Sequence, residues 1–222
     1  MDAADRAAAL DAEGRDASGC ERCGLAATRT RVVYGGGPLD APLMLVGESP
    51  GFHEDREGTP FAGRARELLE RLLADVGIAF ADVYAATILK CRPPGNRDPL
   101  PEEVTACEPY LYRQLELVRP RIVATLGSFA TTLLSGRALG ITRVHGVEHE
   151  VTIGARRLLL YPLFHPAAAL YTPAMLELLE RDVARLPELL GTAAPTETAA
   201  HVAPPACDHA LAAARSVQLG LF

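Results

Sequence analysis

Apolar and polar positions along the chain follow two periods in turn. Leu43-Met44-Leu45-Val46 is a short continuous apolar run bounded by Pro42 and Gly47. Such an unbroken run is what a strand buried on both faces looks like. Val83 to Leu89 and Ile122 to Leu126 read as further strands. Between them the period lengthens. Leu68, Leu69, Leu72, Leu73 and Val76 recur at helical spacing, which predicts a helix over 63–76 that stops at Gly77. Pro101-Glu102-Glu103-Val104 reads as a helix start, with Pro in the first turn and acids beside it, and the helix should run to about Val118. Gly127-Ser128 opens a helix to about Leu134. Residues 149–153 and 157–161 fit a β-hairpin around Gly154-Ala155, and 174–190 an amphipathic helix. Residues 1–15 read as a short polar helix punctuated by Gly14 and Gly19.

Strands alternating with helices predict an α/β fold, a three-layer α/β/α sandwich with a mostly parallel central sheet, spanning residues 1–190. In such sheets ligands lie beyond the carboxyl ends of the strands. Three loops fall there: 47–61, 90–100 and 162–171. Residues 191–215 change to Ala, Pro and Thr with few large apolar side chains, which reads as a flexible linker.

Composition narrows the class. With 222 residues, 49% hydrophobic and 23% charged, the chain fits one domain with a real core. The balance of 22 basic against 28 acidic residues, a net −6, excludes a strongly basic nucleic-acid coat protein but allows a local basic groove. Lys90 is the single lysine; all other basic residues are Arg. The longest strongly apolar run, Leu158 to Phe164, contains Pro162 and is too short to span a membrane. Met1-Asp2-Ala3-Ala4-Asp5 lacks a secretory pattern. A cytoplasmic protein is expected, its five Cys serving as metal ligands or free thiols rather than disulfides.

Cys20 and Cys23 form a C-x2-C pair, and Cys91 and Cys107 lie far downstream. Two thiolates on a tight turn make half of a tetrahedral site, and the fold must bring in the other two. Zinc ribbons usually repeat the close spacing; this chain does not, which favours an iron–sulfur cluster held from scattered loops. Zinc, or plain buried thiols at Cys91 and Cys107, stay open on spacing alone. Cys207 lies in the linker without a partner.

Gly47-Glu48-Ser49-Pro50-Gly51 is no P-loop, because no Gly-Lys-Ser/Thr follows. A denser set surrounds it: Glu54, Asp55, Gly58-Thr59-Pro60-Phe61-Ala62-Gly63-Arg64-Ala65, Lys90-Cys91-Arg92-Pro93-Pro94-Gly95-Asn96-Arg97 and Phe164-His165-Pro166-Ala167. Together with the four Cys, in this order, the chain resembles the iron–sulfur uracil-DNA glycosylases often called family 4, over roughly residues 18–190. The resemblance implies a monofunctional repair enzyme that flips uracil out of DNA and hydrolyses its N-glycosidic bond. It implies a [4Fe-4S] cluster on Cys20, Cys23, Cys91 and Cys107. Gly47, Glu48 and Ser49 would line the pocket, Phe61 would stack on the base, Glu54 would sit near the attacking water, and His165 would stabilise the departing anion. Without the resemblance, Glu54 and Asp55 read as solvated loop charges and Phe61 as core. Arg92, Arg97 and Arg143 are candidate phosphate contacts, against a reading as ordinary solvated arginines.

Two departures bear on specificity. Thr87 stands where the family carries an Asn that reads the uracil edge, and a hydroxyl offers a shorter, rotatable group. Ser49 stands where better-known uracil glycosylases outside this family place a catalytic Asp. His145 replaces what is more often Arg, and reads as a plain loop residue near DNA. A same-fold glycosylase for other deaminated bases and a non-catalytic iron–sulfur DNA-binding protein are the competing readings. Residues 216–222 contain Gln218-Leu219-Gly220-Leu221-Phe222, which looks like the bacterial sliding-clamp-binding motif: Leu221 and Phe222 for an apolar pocket, with Gln218 hydrogen-bonding beside it. A monomer is expected, with uracil-containing DNA and the clamp as partners and no membrane.

Overall fold

The computed structural model describes residues 1–154 and 156–192. The terminal peptide with Gln218, Leu219, Leu221 and Phe222 lies outside the described residues, as does nearly all of the linker. The elements in order are α1 (Ala3–Ser18), β1 (Leu43–Gly47), α2 (Phe52–Glu57), α3 (Gly63–Asp75), β2 (Tyr84–Thr87), α4 (Pro101–Val118), β3 (Ile122–Leu126), α5 (Ser128–Ser135), α6 (Ile141–Val144), β4 (His149–Ile153), β5 (Arg156–Leu163), α7 (Pro166–Ala169), α8 (Pro173–Val183) and α9 (Leu186–Thr192).

Five strands form one sheet in the order β2-β1-β3-β5-β4. Three of the four pairings are parallel, and at one edge β4 runs antiparallel to β5. The continuous apolar runs have a simple cause: alternate side chains enter two different cores. Met44, Val46, Val123 and Leu160 pack with α1, α4 and α5. Leu43, Leu45, Ala124 and Tyr161 pack with α3, α8 and α9 on the other face. This is the expected three-layer sandwich, and among the described residues no helix is long and apolar enough to cross a membrane.

Several boundaries differ from the sequence reading; α1 runs through Gly14 to Ser18, and β5 extends from Arg156 to Leu163. The second strand stops at Thr87 because its partner β1 stops at Gly47; Ile88 and Leu89 still donate to the carbonyls of Gly47 and Glu48. The segment 47–61 is not all loop. Glu54 accepts from the Gly51 N–H and Gly58 closes the turn in the left-handed region, φ 76°, so α2 forms between them. The segment 162–171 holds the end of β5 and the short α7. The predicted last helix is two helices, since Pro187 has no N–H to continue the ladder from α8. Its second part runs to Thr192, so Gly191 and Thr192 are helical rather than linker.

Candidate active site

The carboxyl ends of β1 and β2 meet in register, Gly47 opposite Thr87. A Cβ on Gly47 would come within 3.1 Å of the Phe61 ring and 3.4 Å of the Thr87 methyl. Three predicted pocket residues therefore touch at one spot, and only glycine leaves room for the ring. Phe61 is buried and held at φ 55°, a left-handed conformation that a bulky residue adopts only when its surroundings impose it. Glu54 imposes it. One carboxylate oxygen accepts from the Gly51 N–H at 3.0 Å, the other from the Ala62 N–H at 2.8 Å, so the carboxylate clamps both ends of the segment that carries Phe61. Its neighbour Asp55 is no solvated charge: it is 3% exposed and accepts from the Thr30 N–H at 2.8 Å, tying α2 to the chain ahead of β1.

His165 follows β5 and caps α7. Its Nδ1 accepts from the Ala167 N–H at 3.2 Å, which leaves the proton of the neutral ring on Nε2. Burial lowers its pKa, opposed by the charge of Glu54, which places the two groups within electrostatic reach. Gly127, at φ 91° after β3, lets the His165 Cβ approach to 3.5 Å of where its own Cβ would stand. Glu48 lies in the same loop as Ser49; burial pushes its carboxyl up to about 7, with the charge of Asp98 adding to the effect. The Thr87 hydroxyl donates to the Leu89 carbonyl at 2.7 Å. What it retains toward a ligand is acceptor capacity and a methyl group.

The other candidates sort by their partners. Arg92 donates to the Asn96 side chain at 2.7 Å and Arg143 is exposed on α6. Arg97 grips buried Glu103 with two bonds of 2.6 and 2.9 Å, which leaves it fewer donors for phosphate. His145 is a packed residue rather than a plain loop one. Its Nδ1 lies 2.6 Å from Asp182 and its ring lies 4.4 Å from the Phe164 ring, directly ahead of His165. Nothing in its local sequence signals Asp182, which is supplied by α8.

Cys20, Cys23, Cys91 and Cys107 line one small cavity on the α4 face of the sheet, with Arg29 and Lys90. The Lys90 N–H donates to the Cys107 sulfur at 3.1 Å; Arg29 donates to the Cys20 carbonyl at 2.7 Å and approaches the Cys91 sulfur at 3.6 Å. Arg29 thus belongs to the thiol cavity. Lys90 is fully buried, its ammonium donating to the Thr87 carbonyl and to Gln114, each at 2.6 Å. Cavity and pocket share the stretch 87–91.

The family model of the Uracil DNA glycosylase superfamily matches residues 34–186, which takes in both strand ends and His165. The chain belongs to the uracil-DNA glycosylase superfamily. Within that superfamily its similarity extends to type-4 and type-5 members. The type-4 uracil-DNA glycosylase of Archaeoglobus fulgidus is 42% identical over 191 residues, 84% of this chain and 96% of that protein. The type-4 enzyme of Sulfurisphaera tokodaii is 39% identical over 175 residues, 77% and 80% of the two chains. A type-5 uracil-DNA glycosylase of Pyrobaculum aerophilum is 34% identical over 146 residues, 59% and 63% of the two chains.

Two outcomes follow from this geometry. Because burial lowers the folded pKa of His165, the neutral ring contributes stability that is present above its unfolded value, about 6.5, and is lost as pH falls toward the folded value. A proton-NMR titration of the assigned ring should show a midpoint below that of a histidine in the unfolded chain; an equal or higher midpoint contradicts the buried neutral ring. Gly47→Ala should overpack Phe61 and Thr87 at a cost of about 1–3 kcal/mol. In a thermal melt that reads as a drop of roughly 2–10 °C, and an unchanged melt would show that the ring does not rest on Gly47.

Proposed function

We propose that this chain is a DNA-repair enzyme that flips uracil out of DNA and hydrolyses its N-glycosidic bond, leaving an abasic site. The observation that carries the reading is the convergence, at one sheet edge of a superfamily member, of the Gly47 loop, Phe61, Glu54 and a neutral His165. Cleavage leaves negative charge on the base and oxocarbenium character on the sugar, so the site must offer a donor to one and negative charge to the other. The flipped base stacks on Phe61. The Nε2–H of His165 donates to a uracil carbonyl oxygen as charge develops there. Glu54, with both oxygens engaged by backbone N–H groups, is a fixed negative charge for the sugar and its attacking water. Backbone groups of Gly47, Glu48 and Ser49 border the base, and Arg92 and Arg143 receive phosphates.

Thr87 favours a second reading of substrate range. A side chain limited to accepting a hydrogen bond cannot donate to a base carbonyl, and so selects less sharply than a two-sided amide. Oligonucleotides carrying uracil, hypoxanthine or xanthine separate the possibilities by the free base released. Uracil release is expected, and His165→Ala should lower its single-turnover rate about 10²-fold or more. No release from any of the three would leave a DNA-binding protein without this chemistry; an unchanged rate in the variant would remove His165 from the reaction.

Cys20, Cys23, Cys91 and Cys107 would hold a [4Fe-4S] cluster. The donor set fits: among the described residues four thiols and no His, Asp or Glu line the cavity. Burial pushes the Cys107 thiol up to about 11 and raises Cys91, so the thiolates need the positive charge that iron, Arg29 and Lys90 bring. When bound, the cluster supplies a covalent tie between the 20–23 turn, the end of β2 and α4, and with it folding free energy. The purified protein should be brown, contain iron, and lose visible absorption and thermal stability together in Cys107→Ala. Stoichiometric zinc without iron would overturn the assignment.

A further inference from the structure

Phe52 has no packing reason to be where it is. It is the first residue of α2, directly after Gly51, and 47% of it is exposed. Two guanidiniums converge on its ring: Arg56 at 5.4 Å and Arg92 at 5.2 Å from the ring centre. The His53 ring meets it edge-on at 5.5 Å. Arg56 is explained by helix geometry, since positions four apart on a helix are neighbours. Arg92 is not; it arrives from a separate element, the segment after β2, and its other bond is to the neutral amide of Asn96. Two cations gathered on an exposed ring stand out in a chain whose net charge is −6.

We propose that Phe52, with Arg56 and Arg92, is a stacking platform for an unpaired nucleobase of single-stranded DNA, next to the nucleotide held in the pocket. The path of the strand rests on the uracil-excision reading above. The chemistry of the platform is independent of it. An aromatic face takes any base, and flanking guanidiniums take the phosphates on either side of that base. α2 begins one residue after the 47–51 loop and is clamped to it by Glu54, so the platform moves as one body with Phe61. A duplex base already has both faces covered by its neighbours, whereas a single strand offers an open face. Phe52 therefore adds affinity for single strands and little for duplex.

The test is fluorescence anisotropy of the full chain with a labelled single-stranded oligonucleotide lacking uracil, and with its duplex, across a salt series. Phe52→Ala should weaken single-strand binding roughly 5- to 100-fold, the range for loss of one stacked base, with a much smaller change on duplex. Phe52→Trp should restore it, since any large flat ring serves. The double variant Arg56→Gln, Arg92→Gln should flatten the log–log salt slope by about 1.4, or 0.7 for each lost phosphate contact on a single strand. Unchanged single-strand affinity in Phe52→Ala, an equal loss on duplex, or no restoration by Trp overturns the platform. These measurements need no catalysis. Failure to release uracil therefore refutes the excision reading without deciding this one, and loss of the binding difference refutes the platform in an enzyme that still excises.

Discussion

The parallel pairing of β1 with both β2 and β3 is the constraint on which the site depends. Parallel strands present their carboxyl ends together, and here they end at Gly47, Thr87 and Leu126, with Leu163 of β5 beside them. Thr87 and His165 sit at or just beyond such ends, and the segment carrying Glu54 and Phe61 starts from the end of β1. The pairing is itself secured by two apolar layers, one on each face, so a shift of register would move side chains between the two cores. The site is rigid because its foundations are the most buried part of the molecule.

The loops add a second kind of order, built from backbone N–H groups gripped by carboxylates. Glu54 holds Gly51 and Ala62; Asp55 holds Thr30; Glu103 holds Leu100 and Arg97. Each satisfies donors that a loop near a sheet edge would otherwise leave unpaired, where the cost is a few kcal/mol per buried group. The two bonds of Glu54 hold the segment that carries Phe61 and fix the carboxylate within electrostatic reach of His165.

The sheet and its helices were legible in the sequence because buried strands and amphipathic helices leave periodic traces. Leu43 to Val46 and the leucines of α3 needed no partner to be read. The site was legible only as a set of short motifs in order, since none of Glu54, Phe61 or His165 carries a periodic signal. What stayed hidden depends on distant partners. His145 cannot be seen to need Asp182, 37 residues on, nor can Arg29 be seen to point at Cys91. α2 was hidden for another reason: six residues are too few for a helical period, and its stability comes from the Glu54 clamp and the glycine that ends it. Pro187 was visible, but a proline in the first turn of a new helix and one ending an old helix look alike in a sequence.

The thiol cavity and the packing around Gly47 are not independent. Five residues, Thr87 to Cys91, serve both. The Thr87 side chain meets Gly47, while its carbonyl accepts from the Lys90 ammonium. The Lys90 peptide N–H in turn donates to the Cys107 sulfur, and the next residue is Cys91. A fully buried ammonium is costly unless every donor is met, and burial lowers the Lys90 pKa to about 7 even with Thr87 and Gln114 as acceptors. The Thr87 carbonyl and the Gln114 side chain are the acceptors that meet it. The one lysine in the chain thus ties the thiol cavity on one side to the end of β2 on the other. Whatever orders the four thiols also orders the strand end against which the base would rest.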